Sequence, residues 1–311
     1  MNEKEKNLSH ILTGKDARDS FIAMVEGRAL GASSNIRTVM SLIQDMAKNR
    51  ENDALDSIDA IITYIDMLRG DSSIAVRNAV NDLRKSLLEN LKSLPIGEAA
   101  DRTVRTYKEK MEDDSKKLIE AGVETLRGCR RIFVFDYSSS VDAILLALLD
   151  SGEEFTTVTA ESRLLNGGLP YLKSLARRNA KVNFVLDCCM DSAIRDCDAV
   201  IIGAETVYRE GSVINTAGSE LAAYGAYFHH VPFYVATTFQ KYDGRGEKMF
   251  PSKDEECSME ERLSSDWGSS LREIPDFTCH GFSLVPAELV TGYFTEKGYL
   301  NRDEFQNSEE V

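Results

Sequence analysis

From residue 130 onward the sequence alternates short apolar runs with stretches of helical character, and few architectures accept that pattern. The strand candidates are 131–135, 155–159, 182–186, 199–203 and 233–236, and the intervening segments 139–150, 168–179, 189–196 and 218–229 read as helices. Runs that are apolar throughout belong to strands covered on both faces, so the alternation predicts a Rossmann-like, doubly wound parallel sheet. Ligands of such sheets bind outside the carboxyl ends of the strands, near the point where strand order reverses.

The first 130 residues read differently. Only Phe21, Tyr64 and Tyr107 of the 25 aromatic residues precede residue 132, and Pro95 is the one proline before Pro170. Ile36, Val39, Met40, Ile43 and Met46 recur at helical spacing, as do Ile58, Ile61, Ile62, Ile65 and Leu68. Further helical patterns cover about 73–93 and 103–127, with Gly70-Asp71-Ser72 and Pro95-Ile96-Gly97 as breaks. The fold class is therefore α/β, with a helical domain over 1–128 followed by the sheet domain over 129–311.

The formal charge of −14 argues against direct binding of nucleic acid, which needs a cationic face. No apolar run has transmembrane length and the start MNEKEKNLSH lacks the apolar core of a signal peptide, so a cytoplasmic protein is expected. Six cysteines and four scattered histidines show no metal-ligand spacing, and no metal or cofactor is expected. Residues 243–275 read as an exposed insertion or flap, and the tail from Asn307 as frayed.

The residues just after each strand are the candidates for chemistry. Asp136-Tyr137-Ser138-Ser139-Ser140 follows the first, and its serines would either cap the next helix or offer hydroxyls and amides to an anion. Arg163, before the pair Gly167-Gly168, would clamp a phosphate or lie at the surface before a turn. Glu205 follows the fourth strand, where partial desolvation suits acid–base work, unless it merely caps a loop. Residues 210–219 read as a small-residue loop in which Gly218 and Ser219 open a helix that would cradle a phosphate. Cys188 and Cys189 start a helix after Asp187, as reactive thiols or as inert buried ones.

The segment VIIGAETVYREGSVINTAGSELAAYGAYFHHVPFYVATTFQKYD resembles the most characteristic region of one superfamily. It holds the α, β and δ subunits of eukaryotic translation initiation factor 2B, ribose-1,5-bisphosphate isomerase and methylthioribose-1-phosphate isomerase. FVFDYSSSVDAIL, TAESRLLNGG, LVPAELVTGYFTEKGYL and GRALGASSNIRTVMSLIQ resemble further family segments, so the likeness spans nearly the whole chain. It implies a helical domain on a Rossmann-like domain that dimerises, with a ligand site between them.

In the isomerases of this family a cysteine in the first strand's turn and an aspartate in a GAD motif convert an aldose 1-phosphate to a ketose phosphate. The resemblance puts Asp136 at the cysteine position and Glu205 at the aspartate position. Leu164, Gly167 and Thr216 stand where the family has proline, glutamine and lysine. Arg28, Gly31, Ala32, Arg163, Gly168, Asp187, Asn215 and Gly218 match, and with Ser138, Ser139 and Ser219 they would hold a phosphorylated sugar or nucleotide. Two readings follow. In the first the protein is a sugar-phosphate isomerase using Glu205 and Asp136 as acid and base, with Cys188 or Cys189 as a possible substitute thiol. In the alternative it is a regulatory, non-catalytic homodimer or higher oligomer that binds the same ligands.

Overall fold

The structure, a computed structural model, describes residues 3–26, 32–50, 53–70, 73–249, 256–258 and 278–308. Arg28, Gly31, the Asp71-Ser72 break, most of the 243–275 stretch and the end of the tail lie outside the described residues. The chain forms two compact units, Met1–Asp113 and Asp114–Val311.

The first unit is helical: α1 (Glu3–Ile11), α2 (Lys15–Val25), α3 (Ala32–Asn49), α4 (Ala54–Arg69), α5 (Ile74–Asn90) and the first half of α6 (Ile96–Leu126). The apolar stripes read from the sequence are its core. Ile36, Val39, Met40, Ile43 and Met46 of α3 and Ile58, Ile61, Ile62 and Ile65 of α4 are buried around Leu12, Phe21, Val80 and Leu83. Helix α6 begins at Ile96, earlier than the expected 103, because Pro95 accepts the first helical hydrogen bond from Ala99 and suits a helix start. The compositional change at 128/129 lies just past the end of α6, whereas packing divides the chain midway along it.

The second unit is built on seven strands. In chain order these are β1 (Arg131–Val134), β2 (Thr156–Ala160), β3 (Lys181–Val185), β4 (Ala199–Ile202), β7 (Phe233–Ala236), β12 (Gly292–Thr295) and β13 (Gly298–Asn301). The spatial order is β13-β12-β7-β4-β1-β2-β3, all parallel except β13, which forms an antiparallel edge on β12. The helices α7 (Ser139–Asp150), α8 (Gly168–Ala176), α9 (Met190–Arg195) and α10 (Ser219–Phe228) fall within the segments expected from the sequence. The five expected strands form within a residue of their predicted ends. Alternate residues of β1 feed two apolar cores, Phe133 one and Ile132 and Val134 the other, as a sheet covered on both faces requires.

A smaller four-stranded sheet is absent from the sequence reading. It runs β11-β6-β5-β8, from β11 (Phe282–Val285), β6 (Val213–Thr216), β5 (Thr206–Tyr208) and β8 (Tyr242–Asp243). Strand β6 falls inside the expected loop 210–219. It is only four residues long and buried throughout, so it shows no alternation. Its hairpin with β5 closes on a turn in which Gly211 donates to Tyr208 and Tyr208 to Ser212. Two further short strands, β9 (Glu256–Ser258) and β10 (Thr278–His280), pair with each other, and α11 (Arg302–Asn307) ends the described chain.

Candidate functional site

Strand order reverses between β1 and β4, since β2 lies beyond one and β7 beyond the other. The crevice at their carboxyl ends is where an open α/β sheet places ligands. Asp136, two residues past β1, is buried in that position with a positive φ of 54°. Its Oδ1 accepts from the Ser162 hydroxyl at 3.1 Å and its Oδ2 from the Thr216 hydroxyl at 2.6 Å. Three chain segments, after β1, after β2 and at the end of β6, are thus tied at one carboxylate.

The tie extends to β3. Ser162 has a positive φ of 50°, and Asp187 holds it by accepting the Ser162 amide at 2.7 Å and the Arg163 amide at 2.8 Å. Of the five described non-glycine residues with positive φ, Asp136, Ser162 and Asn166 belong to this one cluster. Such strain costs about 1–3 kcal/mol per residue and gathers where function over-determines the backbone. Gly167 allows the loop to close, because a Cβ there would lie 2.1 Å from Asp136 Oδ1 and 2.8 Å from its Cα.

Two helix N-termini open beside the tie. Ser138 caps α7, its hydroxyl accepting from Val141 and its amide donating to the buried Tyr171 hydroxyl at 3.1 Å. Burial pushes that phenol well above its ordinary range, so it stays protonated. Ser139, exposed, is the first residue of α7. Gly218, with φ 106°, precedes α10, and its Cα packs against Phe135, the residue before Asp136. Asn215 donates to the Ser219 hydroxyl at 2.9 Å, which donates to the Thr216 carbonyl at 2.8 Å and fixes the start of α10. The first amides of each helix have no acceptor within the helix and carry the positive end of its dipole.

The remaining candidates take more peripheral places. Arg163 is partly exposed and pairs with Glu161 at 2.8 Å. Gly168 opens α8, its amide donating to the Glu161 carbonyl. Glu205 is half-buried just past β4; its amide donates to Ile214 in the small sheet, and its carboxylate has no partner among the described residues. Ala32 begins α3 in the other unit. Cys188 and Cys189 are exposed on a turn beside Asp187.

Three residues that shape the crevice were not singled out as ligands or acid–base groups in the sequence. Ser162 and Thr216 hold Asp136, and Lys241 donates from its ammonium to the Ala204 carbonyl at the end of β4. Their signal was position: each follows or ends a strand whose carboxyl end faces one crevice. Among the described residues no cluster of three or more His, Cys, Asp or Glu side chains could hold a metal, and no helix is long and apolar enough to cross a membrane.

Asp142, in the first turn of α7, tests the electrostatics here. Burial raises its carboxyl above the usual value, while hydrogen bonds from Ser174 and Tyr137 oppose the rise. A raised carboxyl gives stability that is fully present below the unfolded value near 3.9 and is lost as pH climbs through the folded value. Denaturant titrations should show the wild type losing stability relative to Asp142→Asn as pH rises above the unfolded carboxyl value of about 3.9. A pH-independent difference would show that Asp142 is effectively solvated.

A model of the Initiation factor 2 subunit family matches residues 25–302. A putative translation initiation factor eIF-2B subunit 2-like protein of Pyrococcus furiosus is 29% identical over 189 residues, covering 61% of this chain and 64% of the relative. The methylthioribose-1-phosphate isomerase of Rhodopirellula baltica is 28% identical over 225 residues, covering 67% and 63%. The chain thus spans under two thirds of the length of these relatives. Among solved structures, translation initiation factor eIF-2B of Pyrococcus horikoshii superposes with TM-score 0.76 at 19% identity, covering 94% of this chain and 99% of that one. The 5-methylthioribose 1-phosphate isomerase of the same organism gives 0.78 at 18%, covering 97% and 86%. At such identities the structural likeness is one of fold.

Proposed function

The chain belongs to the Initiation factor 2 subunit family, and from that premise we propose that its crevice binds a phosphorylated sugar or nucleotide without isomerising it. The observation that carries this reading is the engagement of both Asp136 oxygens by the Ser162 and Thr216 hydroxyls. A group so occupied and buried holds loops in place. It is poorly set to attack a substrate or shuttle its proton, for which a base must reach the reacting atom directly. The helix starts at Ser139 and Ser219 supply amides for phosphate oxygens, and Arg163, on exchanging Glu161 for ligand, supplies a bidentate cation. In a chain of charge −14 these local donors are what gathers an anion. Relatives named as isomerases support the sugar-phosphate class, and a related structure is a tetrameric eIF2B-beta2-delta2 complex, which favours an oligomeric state for this chain.

The competing reading is an aldose 1-phosphate isomerase with Glu205 and Asp136 as acid and base. What favours it is the unpartnered carboxylate of Glu205 at the end of β4. Thermal unfolding with ribose 1,5-bisphosphate, methylthioribose 1-phosphate, 5-deoxyribose 1-phosphate and a nucleoside monophosphate tests the shared element. One of them, at about 100 times its Kd, should stabilise the protein by about 2.7 kcal/mol, and unphosphorylated ribose should not. If every phosphorylated compound leaves the midpoint unmoved at millimolar concentration, the binding reading fails.

A further inference from the structure

Cys188 and Cys189 are adjacent in sequence and exposed, with their sulfurs 3.9 Å apart on the single turn Asp187–Cys189 that follows β3. Two of the other described thiols are less available. Cys197 is buried and Cys129 partly buried, which shields both from a dissolved oxidant. The preceding residue, Asp187, is the one whose carboxylate holds the Ser162 and Arg163 amides, and Ser162 in turn holds Asp136. The pair therefore sits one residue from a chain of hydrogen bonds that ends in the crevice.

We propose that Cys188 and Cys189 form a redox-modification site, a reversible vicinal disulfide whose closure loosens the hold of Asp187 on the loop 161–168. The oxidant is a low-molecular-weight disulfide. One cysteine thiolate attacks a sulfur of it and expels a first small thiol, and the second cysteine then displaces the other small thiol from the mixed disulfide. Two electrons pass to the oxidant, two protons leave the cysteines, and two small thiols form. Bonding requires the sulfurs to close from 3.9 Å to about 2 Å. Adjacent Cα atoms across a trans peptide are about 3.8 Å apart, below the roughly 4.4–6.8 Å of ordinary disulfides. The turn must distort to close the ring, and the Cys189 amide that donates to Leu186 at 2.8 Å lies inside the segment that moves. A bond strained in this way is easily reduced again, as a regulatory one must be.

A looser loop would weaken binding in the proposed crevice, and that consequence rests on the binding reading, whereas the disulfide and its mechanical effect do not. The whole chain is incubated with oxidised glutathione, and mass spectrometry and amide exchange are read on the same sample. The peptide holding both cysteines should become about 2 Da lighter, with no retained glutathione, and revert with reduced glutathione. Exchange in residues 161–168 should accelerate about tenfold or more, the factor that corresponds to losing one such hydrogen bond. Cys188→Ser and Cys189→Ser should each lose the 2 Da change and keep slow exchange in the loop. On the wild-type chain, a stable glutathione adduct at either cysteine, no reaction at all, or a disulfide that leaves exchange in 161–168 unchanged would each overturn the proposal. Neither readout involves a crevice ligand, so failure of the binding reading would leave this result standing.

Discussion

Replacing Gly218 with alanine is expected to destabilise the second unit by about 3–5 kcal/mol and to abolish the proposed binding in the crevice. Gly218 holds φ 106°, a conformation that side chains rarely adopt, and an added Cβ would sit 2.4 Å from the Phe135 ring. Phe135 is buried and lies directly before Asp136, so it yields only by moving the strand end that carries the tie. Backbone strain and overpacking each contribute about 1–3 kcal/mol, and here they coincide. For a unit of this size the melting midpoint should fall by roughly 6–20 °C. Calorimetric unfolding of the variant measures it, and a drop of less than about 2 °C would mean that α10 shifts freely against β1.

The second large effect is expected at Asp136, and it differs between two substitutions. Asp136→Ala leaves the Ser162 and Thr216 hydroxyls buried without their acceptor. Hydrogen bonds to a charged group contribute about 1.5–3 kcal/mol each, so the loss should be roughly 3–6 kcal/mol, with loss of the proposed ligand binding as the loops separate. Asp136→Asn can keep both bridges, because its carbonyl accepts from one hydroxyl while its amide donates to the oxygen of the other. It should fold within about 1 kcal/mol of wild type and bind an anionic ligand at least as tightly, since a negative charge has left the crevice. Denaturant titration and calorimetric binding on both variants provide the test. Equal damage from alanine and asparagine would show that the charge matters more than the tie.

The sheet was legible in the sequence where burial on both faces left unbroken apolar runs, as in Ile132–Phe135 and Ala199–Ile202. The helical unit was legible where apolar residues recur at three and four, as in α3 and α4. The small sheet was not, because β5 and β6 are three and four residues long and give no period to read. Val207-Tyr208 and Val213-Ile214 on either side of the Glu210-Gly211 turn were the available hairpin signal. In the crevice, the sequence indicated Asp136, Ser138, Gly218 and Ser219 by their places after strands and before helices, and Asn215 by its match to the family resemblance. It could not show that Ser162 and Thr216, 26 and 80 residues from Asp136, would donate to its two oxygens. Thr216 looked like the loss of a phosphate-binding lysine. In the fold it is the partner that makes an aspartate structurally sound at that strand end.

The claim that Asp136 ties the crevice and leaves bound sugar unconverted is tested most directly by following one ligand in a single tube. Ribose 1,5-bisphosphate or methylthioribose 1-phosphate, whichever stabilises the protein, is mixed with it at equal concentration and watched by carbon-13 and phosphorus-31 resonance over hours. Saturable broadening or shift of the phosphorus signal, with the aldose carbons unchanged and no ketose carbonyl, is the predicted result. A ketose phosphate that accumulates beyond one equivalent when ligand is in excess, and ceases to form with Asp136→Asn, would contradict it.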